Sequence, residues 1–202
     1  MSTKQALQFA AVVVQNLPEM SGEIMQRHID DPKGLQTLLR KVFLTFPILM
    51  TVKLGTGLKT ADNFRQAIKK AKMDIGSWAS DLLNQDAFRV AGQPTEVSII
   101  APTVAELGFK DGARYADICQ RGVEMGYELC PSELGPQLRL QYQNQPKGEV
   151  LWLAMEAIRR SGGLLSTFFV GHGDGGLWLR GGGAVPGGFF RAGDRIVFVC
   201  RK

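Results

Sequence analysis

Only two histidines and three cysteines occur in 202 residues, and none of them stand at zinc-ligand or CxxC spacing. The expectation for metal is therefore none, and the same holds for a cofactor. An odd cysteine count without a framework pattern reads Cys119, Cys130 and Cys200 as free thiols of a reducing compartment. Long apolar runs are missing too. The longest, residues 42–52, contains Pro47 and falls short of the roughly 20 residues that cross a bilayer. Gln5 and Gln8 break the apolar stretch near the start, so no secretory signal is read. The expectation is a cytoplasmic protein without a membrane span. No segment is repeated, and 45% hydrophobic with 21% charged residues excludes a disordered chain.

The first 46 residues read as a small helical module. Leu7, Ala10, Val14 and Leu17 recur at helical spacing; Ser21 can cap a second helix, and Asp31-Pro32 starts a third bearing Leu35, Leu38, Leu39 and Val42. Three such short helices bury little alone, so they are expected to pack together or onto the remainder.

Residues 47–202 read as an α+β domain. A strand at 48–54, a helix at 60–72, a short helix around Trp78, Leu82 and Leu83, and a strand at 96–101 come first. Thr103 and Glu106 stand at capping-box spacing, and Asp111 is read as the cap of a helix over 112–125 that Gly126 ends. Beyond it the period shortens. Residues 138–142 alternate, and 150–155, 164–170, 177–179 and 196–199 are apolar, which suggests a small antiparallel sheet or partial barrel. The glycine-rich stretch 161–194 reads as tight turns and irregular loops.

Four features carry possible chemistry. Leu54-Gly-Thr-Gly-Leu-Lys-Thr60 joins a strand to a helix and offers backbone N–H groups and Lys59 to an anion, although its spacing is not that of a P-loop. The helix after it carries Lys59, Arg65, Lys69, Lys70 and Lys72 against Asp62, with Arg65, Lys69 and Lys72 at i, i+4 and i+7. That stripe suits phosphates, while the lack of interleaved aromatics argues against base stacking. His172 and Asp174 lie among glycines and could serve an enzyme with Cys130 or Cys200 as thiol partner. Cys130-Pro-Ser-Glu133 could hold a nucleophile, but Pro-Ser-Glu is also a standard turn or helix opening, the reading preferred.

Several stretches resemble a family of uncharacterised bacterial hypothetical proteins known from candidate-phyla genomes: Thr51-Val-Lys-Leu-Gly-Thr56, Ile75-Gly-Ser-Trp-Ala-Ser-Asp-Leu-Leu83, Val104-Ala-Glu-Leu-Gly-Phe-Lys-Asp-Gly112 and Leu129-Cys-Pro-Ser-Glu-Leu-Gly-Pro-Gln-Leu-Arg-Leu-Gln-Tyr142. The resemblance implies kinship and no activity. With a net charge of +5, the leading expectation is a non-enzymatic binding protein that engages a polyanion such as nucleic acid, or a protein partner, through residues 53–72. The alternatives are an enzyme using His172 with a thiol or carboxylate, and an assembly protein acting through the N-terminal helices.

Overall fold

Ser21 and Asp31 do what their positions require. The Ser21 hydroxyl accepts from the Ile24 N–H to open α2 (Gly22–Asp30), and the Asp31 carboxylate accepts from the Gly34 N–H to open α3 (Pro32–Phe43). With α1 (Thr3–Gln15) these helices form one unit, residues 1–45; residues 46–202 form a second. The computed structural model describes residues 3–43, 46–184 and 187–201. No side chain of α2 is buried, and of the described side chains of α1 only Val13 is even half-buried. The Val42 side chain, expected on the apolar face of α3, lies outside what the structure describes.

The second unit begins with β1 (Met50–Leu54), α4 (Ala61–Lys70), β2 (Asp74–Ile75), α5 (Ser77–Leu83) and β3 (Thr95–Ile100). After β4 (Ala113–Arg114), α6 (Tyr115–Glu124), β5 (Tyr127–Glu128) and α7 (Leu134–Gln141), the rest is strand: β6 (Val150–Leu153), β7 (Ile158–Arg159), β8 (Leu165–Gly173), β9 (Gly176–Gly183), β10 (Phe189–Phe190) and β11 (Arg195–Cys200). The large sheet runs β1-β3-β11-β6-β8-β9-β2, with β5 added to β11 and β7 to β8, and β10 pairs β4 separately. The fold is α+β. Its sheet is larger than the small antiparallel one expected, and mixed, because β11 pairs β6 and β9 pairs β2 in parallel.

Both faces of the central strands are covered. Val197 and Val199 of β11 join the core under α4, α5 and α7, whereas Ile196 and Phe198 join a second core beneath α6. Trp152 likewise points away from Leu151 and Leu153. A strand buried on both faces reads as a continuous apolar run, which is why these segments showed no alternation.

Three expectations fail for identifiable reasons. Residues 138–142, read as a strand, belong to α7 and its C-cap. Leu134 and Leu138 supply its core contacts one turn apart, while Glu133, Gln137 and Gln141 face the free edge of β1, so inward polar side chains mask the helical period. Asp111 caps nothing; α6 starts four residues later, after Arg114, without a side-chain cap. The glycine-rich stretch is mostly strand. A Cβ on Gly171 would stand 2.1 Å from the Trp178 ring and one on Gly182 2.5 Å from Trp152. These glycines make room for an aromatic row in which Trp152 stacks on Phe169 at 4.0 Å between centroids and Phe169 meets Trp178 edge-on.

Candidate functional site

The glycine turn after β1 already holds an anion, and it is the protein's own. Glu133 is 1% exposed; its carboxylate accepts from the Gly55 N–H at 2.9 Å, the Ala91 N–H at 2.8 Å and the Gln137 side-chain amide at 2.8 Å. Gln137 also donates to Thr56 Oγ1, and Gln141 pairs with both the N–H and the C=O of Lys53. Glu133 at the N-cap of α7, with Gln137 and Gln141 at the next two turns, thus binds the end of β1 at Lys53 and the glycine turn after it. At the start of α4, the Lys59 and Thr60 N–H groups donate to Asn63 Oδ1, and Thr60 accepts from the Asn63 N–H. The Gly55, Lys59 and Thr60 N–H groups are thus engaged within the chain.

The basic stripe does not form either. Arg65 is turned along the protein, its guanidinium donating to Ser80 Oγ, the Ser80 carbonyl, Asn84 Oδ1 and Asp62, each at 2.7 Å. The helix stops at Lys70, and Lys72 lies beyond it at a φ of 57°. Lys69 remains exposed on α4.

His172, Asp174 and Cys130 are held by other groups. The Nδ1 of His172 lies 2.7 Å from the Gln145 carbonyl oxygen, which only accepts, so Nδ1 carries the proton. Asp174, 95% exposed at the β8–β9 tip, pairs with Lys147 at 2.7 Å. Cys130 is buried and its thiol donates to the Val197 carbonyl at 3.2 Å. Among the described residues none of the three bonds another, and no group of three or more His, Cys, Asp or Glu could hold a metal ion.

What the same segments do build is a cleft. A hollow of about 640 Å³ opens where the main core reaches the surface, floored by Leu54, Val97, Cys130, Met155, Ile158 and Val199. Residues 87–91 form one wall, and segments 128–132 and 155–158 the other. Both walls are pinned. Ser132 accepts from the Arg89 N–H at 2.8 Å and donates to its carbonyl at 3.2 Å, while Glu133 holds Ala91. Across the cleft, the Cys130 N–H donates to the Ala154 carbonyl at 2.7 Å and the Met155 N–H to the Tyr115 hydroxyl at 2.9 Å. A neighbouring hollow over Lys53–Gly57 and Pro94–Glu96 shares Leu54 and Thr95 but reaches little else of the core.

Charge at the cleft is sparse. Arg89 and Glu156 are exposed lining residues whose side chains have no ion-pair or hydrogen-bond partner among the described residues, whereas Glu128 pairs with Arg201 at 3.4 Å. No motif in the sequence marks Arg89 or Glu156, and Cys130-Pro-Ser-Glu133, expected as a nucleophile site or a turn or helix opening, also clamps residues 89–91 through Ser132 and Glu133. The signal present was the recurrence of Glu133, Gln137 and Gln141 at helical spacing between Leu134, Leu138 and Leu140.

All three cysteines are free thiols. Burial pushes Cys119 up to about 11, Cys130 well above the ordinary thiol value, and Cys200 upward as well. In the unfolded chain the Cys119 proton leaves near pH 9, while the folded chain keeps it to about 11. Through that window the unfolded state binds fewer protons, so stability falls as pH rises from 9 to 11. Urea midpoints measured across this range are expected to drop in the wild type and to drop less in Cys119→Ala.

No family model matches the chain, and neither curated proteins nor solved structures match it. Function therefore rests on the site.

Proposed function

We propose that this chain is a non-enzymatic binding protein that takes a small apolar anion in the cleft between residues 87–91 and 155–158. One observation carries the reading: a concave floor of core side chains lies between walls fixed by hydrogen bonds, with an unpaired guanidinium at Arg89. A volume of about 640 Å³ falls within the range of small-molecule sites. Walls that are already ordered spare a ligand the cost of ordering them. Kinship with the uncharacterised bacterial family is carried forward as part of the same proposal and adds no activity to it.

Catalysis gains no support from the placement of His172, Asp174 and Cys130, since each is committed to another partner. A phosphate-tracking face gains none from α4, where Arg65 is tied to Ser80 and Asn84.

Decanoate is a suitable probe, its tail contributing about 0.8 kcal/mol per buried methylene and its carboxylate reaching Arg89. Calorimetric titration should show one saturable site. Arg89→Ala should weaken it roughly five- to tenfold, about 1 kcal/mol for an exposed charge pair. Ala157→Trp, which crowds the cleft lining, should abolish binding. Decylammonium binding as tightly as decanoate would remove the role given to Arg89.

A further inference from the structure

The lining of the cleft contains three charged residues, and only one of them is engaged. Glu128 pairs with Arg201 at 3.4 Å. Arg89 stands on the wall of residues 87–91 and Glu156 on the opposite wall. Both are exposed, and neither side chain meets a partner among the described residues. The peptide groups of Glu156 and Ala157 likewise bond to no described residue. Their neighbours are fixed, Met155 by the Tyr115 hydroxyl and Ile158 by pairing with Ser166. Idle polar groups on a pinned wall are open to whatever enters the cleft. Below them, Cys130, Met155, Ile158 and Val199 of the main core form an apolar floor.

We propose that the cleft selects an α-amino acid with a long apolar side chain, Arg89 taking its carboxylate and Glu156 its ammonium. Such selection rests on the cleft's being a site for an apolar carboxylate, as proposed above, and narrows that ligand to one class. A guanidinium and a carboxylate at the mouth, over one apolar floor, match a head group whose two charges sit on a single carbon. A simple fatty acid would answer Arg89 and leave Glu156 facing a like charge. An ω-amino acid would carry its second charge at the far end of the chain, on a floor with no charge to meet it. A hollow of about 640 Å³ is roughly 11 Å across as a sphere, so one head group lies within reach of long side chains from both walls. A guanidinium grips a carboxylate through two parallel bonds, so Arg89 remains the stronger partner and decanoate still outranks decylammonium.

Calorimetric titration of the full chain at about pH 7 with 2-aminodecanoate, both of whose head groups are then ionised, tests this beside decanoate. The amino acid is expected to bind roughly three- to fivefold more tightly than decanoate, the gain of one exposed charge pair. Glu156→Gln should erase that gain without weakening decanoate, and as an exposed substitution it should leave the fold intact. A control on the unaltered protein removes the charge from the ligand instead: N-acetyl-2-aminodecanoate should bind no better than decanoate. The ω-isomer, 10-aminodecanoate, should also gain nothing. Decanoate binding with no gain for 2-aminodecanoate overturns the amino-acid proposal and leaves the apolar-carboxylate site standing. A gain that survives Glu156→Gln, or that 10-aminodecanoate shares, overturns it as well. If neither decanoate nor 2-aminodecanoate binds, the cleft is no ligand site and both readings fall.

Discussion

Replacing Glu133 by alanine is expected to lower stability by about 3–5 kcal/mol, the cost of stripping a buried carboxylate from the donors arranged around it. The Gly55 and Ala91 N–H groups lose their acceptor, and the Gln137 amide loses one of two. Water reaches that position poorly, as the side chain is 1% exposed. Glu133→Gln should cost less, because one oxygen still accepts while the new amide faces a backbone donor. Gln141→Ala, at the exposed end of the same ladder, should stay within about 1 kcal/mol. Urea unfolding curves for the three variants check the order, and equal losses for Glu133→Ala and Gln141→Ala would contradict it.

The second large effect is expected at Arg139, which is 0% exposed. Its guanidinium donates to Gln145 Oε1 at 2.5 Å, to the Gly171 carbonyl at 3.2 Å and to the Tyr142 carbonyl, tying α7 to β8 and the 142–145 turn. Nε is buried without a hydrogen-bond partner, and burial holds the group down to about 10. Arg139→Lys keeps a buried charge but replaces a planar fork by a compact, strongly hydrated ammonium that cannot reach three separated acceptors. A loss of about 3–5 kcal/mol is expected. Arg139→Met leaves those acceptors unpaired yet removes the buried charge, so its loss should be the smaller of the two. Denaturation midpoints decide, and a lysine variant more stable than the methionine one would show that the charge itself stabilises.

Much of the architecture could be read from local chemistry. Ser21, Asp31, Thr60 and Gly126 mark element boundaries through caps and a left-handed turn, and those depend only on neighbours in sequence. What escaped depended on distant neighbours. Gly171 and Gly182 look like loop residues until the Trp178 and Trp152 rings occupy the space their side chains would fill. The Leu138-Arg-Leu-Gln-Tyr142 alternation looks like a strand until Gln141 is seen to pair with the edge of β1 and Gln137 with the turn after it. The basic stripe failed because Ser80 and Asn84, on and just after the next helix, draw Arg65 aside. The cleft was not legible at all, since its lining is assembled from six separate segments of chain.

The most direct test of the binding site is amide chemical-shift mapping of the isotopically labelled full chain during addition of decanoate. The cleft account expects saturable shifts at Leu54, Arg89, Ala91, Ser132 and Ala157, with Lys59 and Lys69 unmoved and the same set silent in Ala157→Trp. Shifts concentrated on α4, or none at saturating probe, would contradict it.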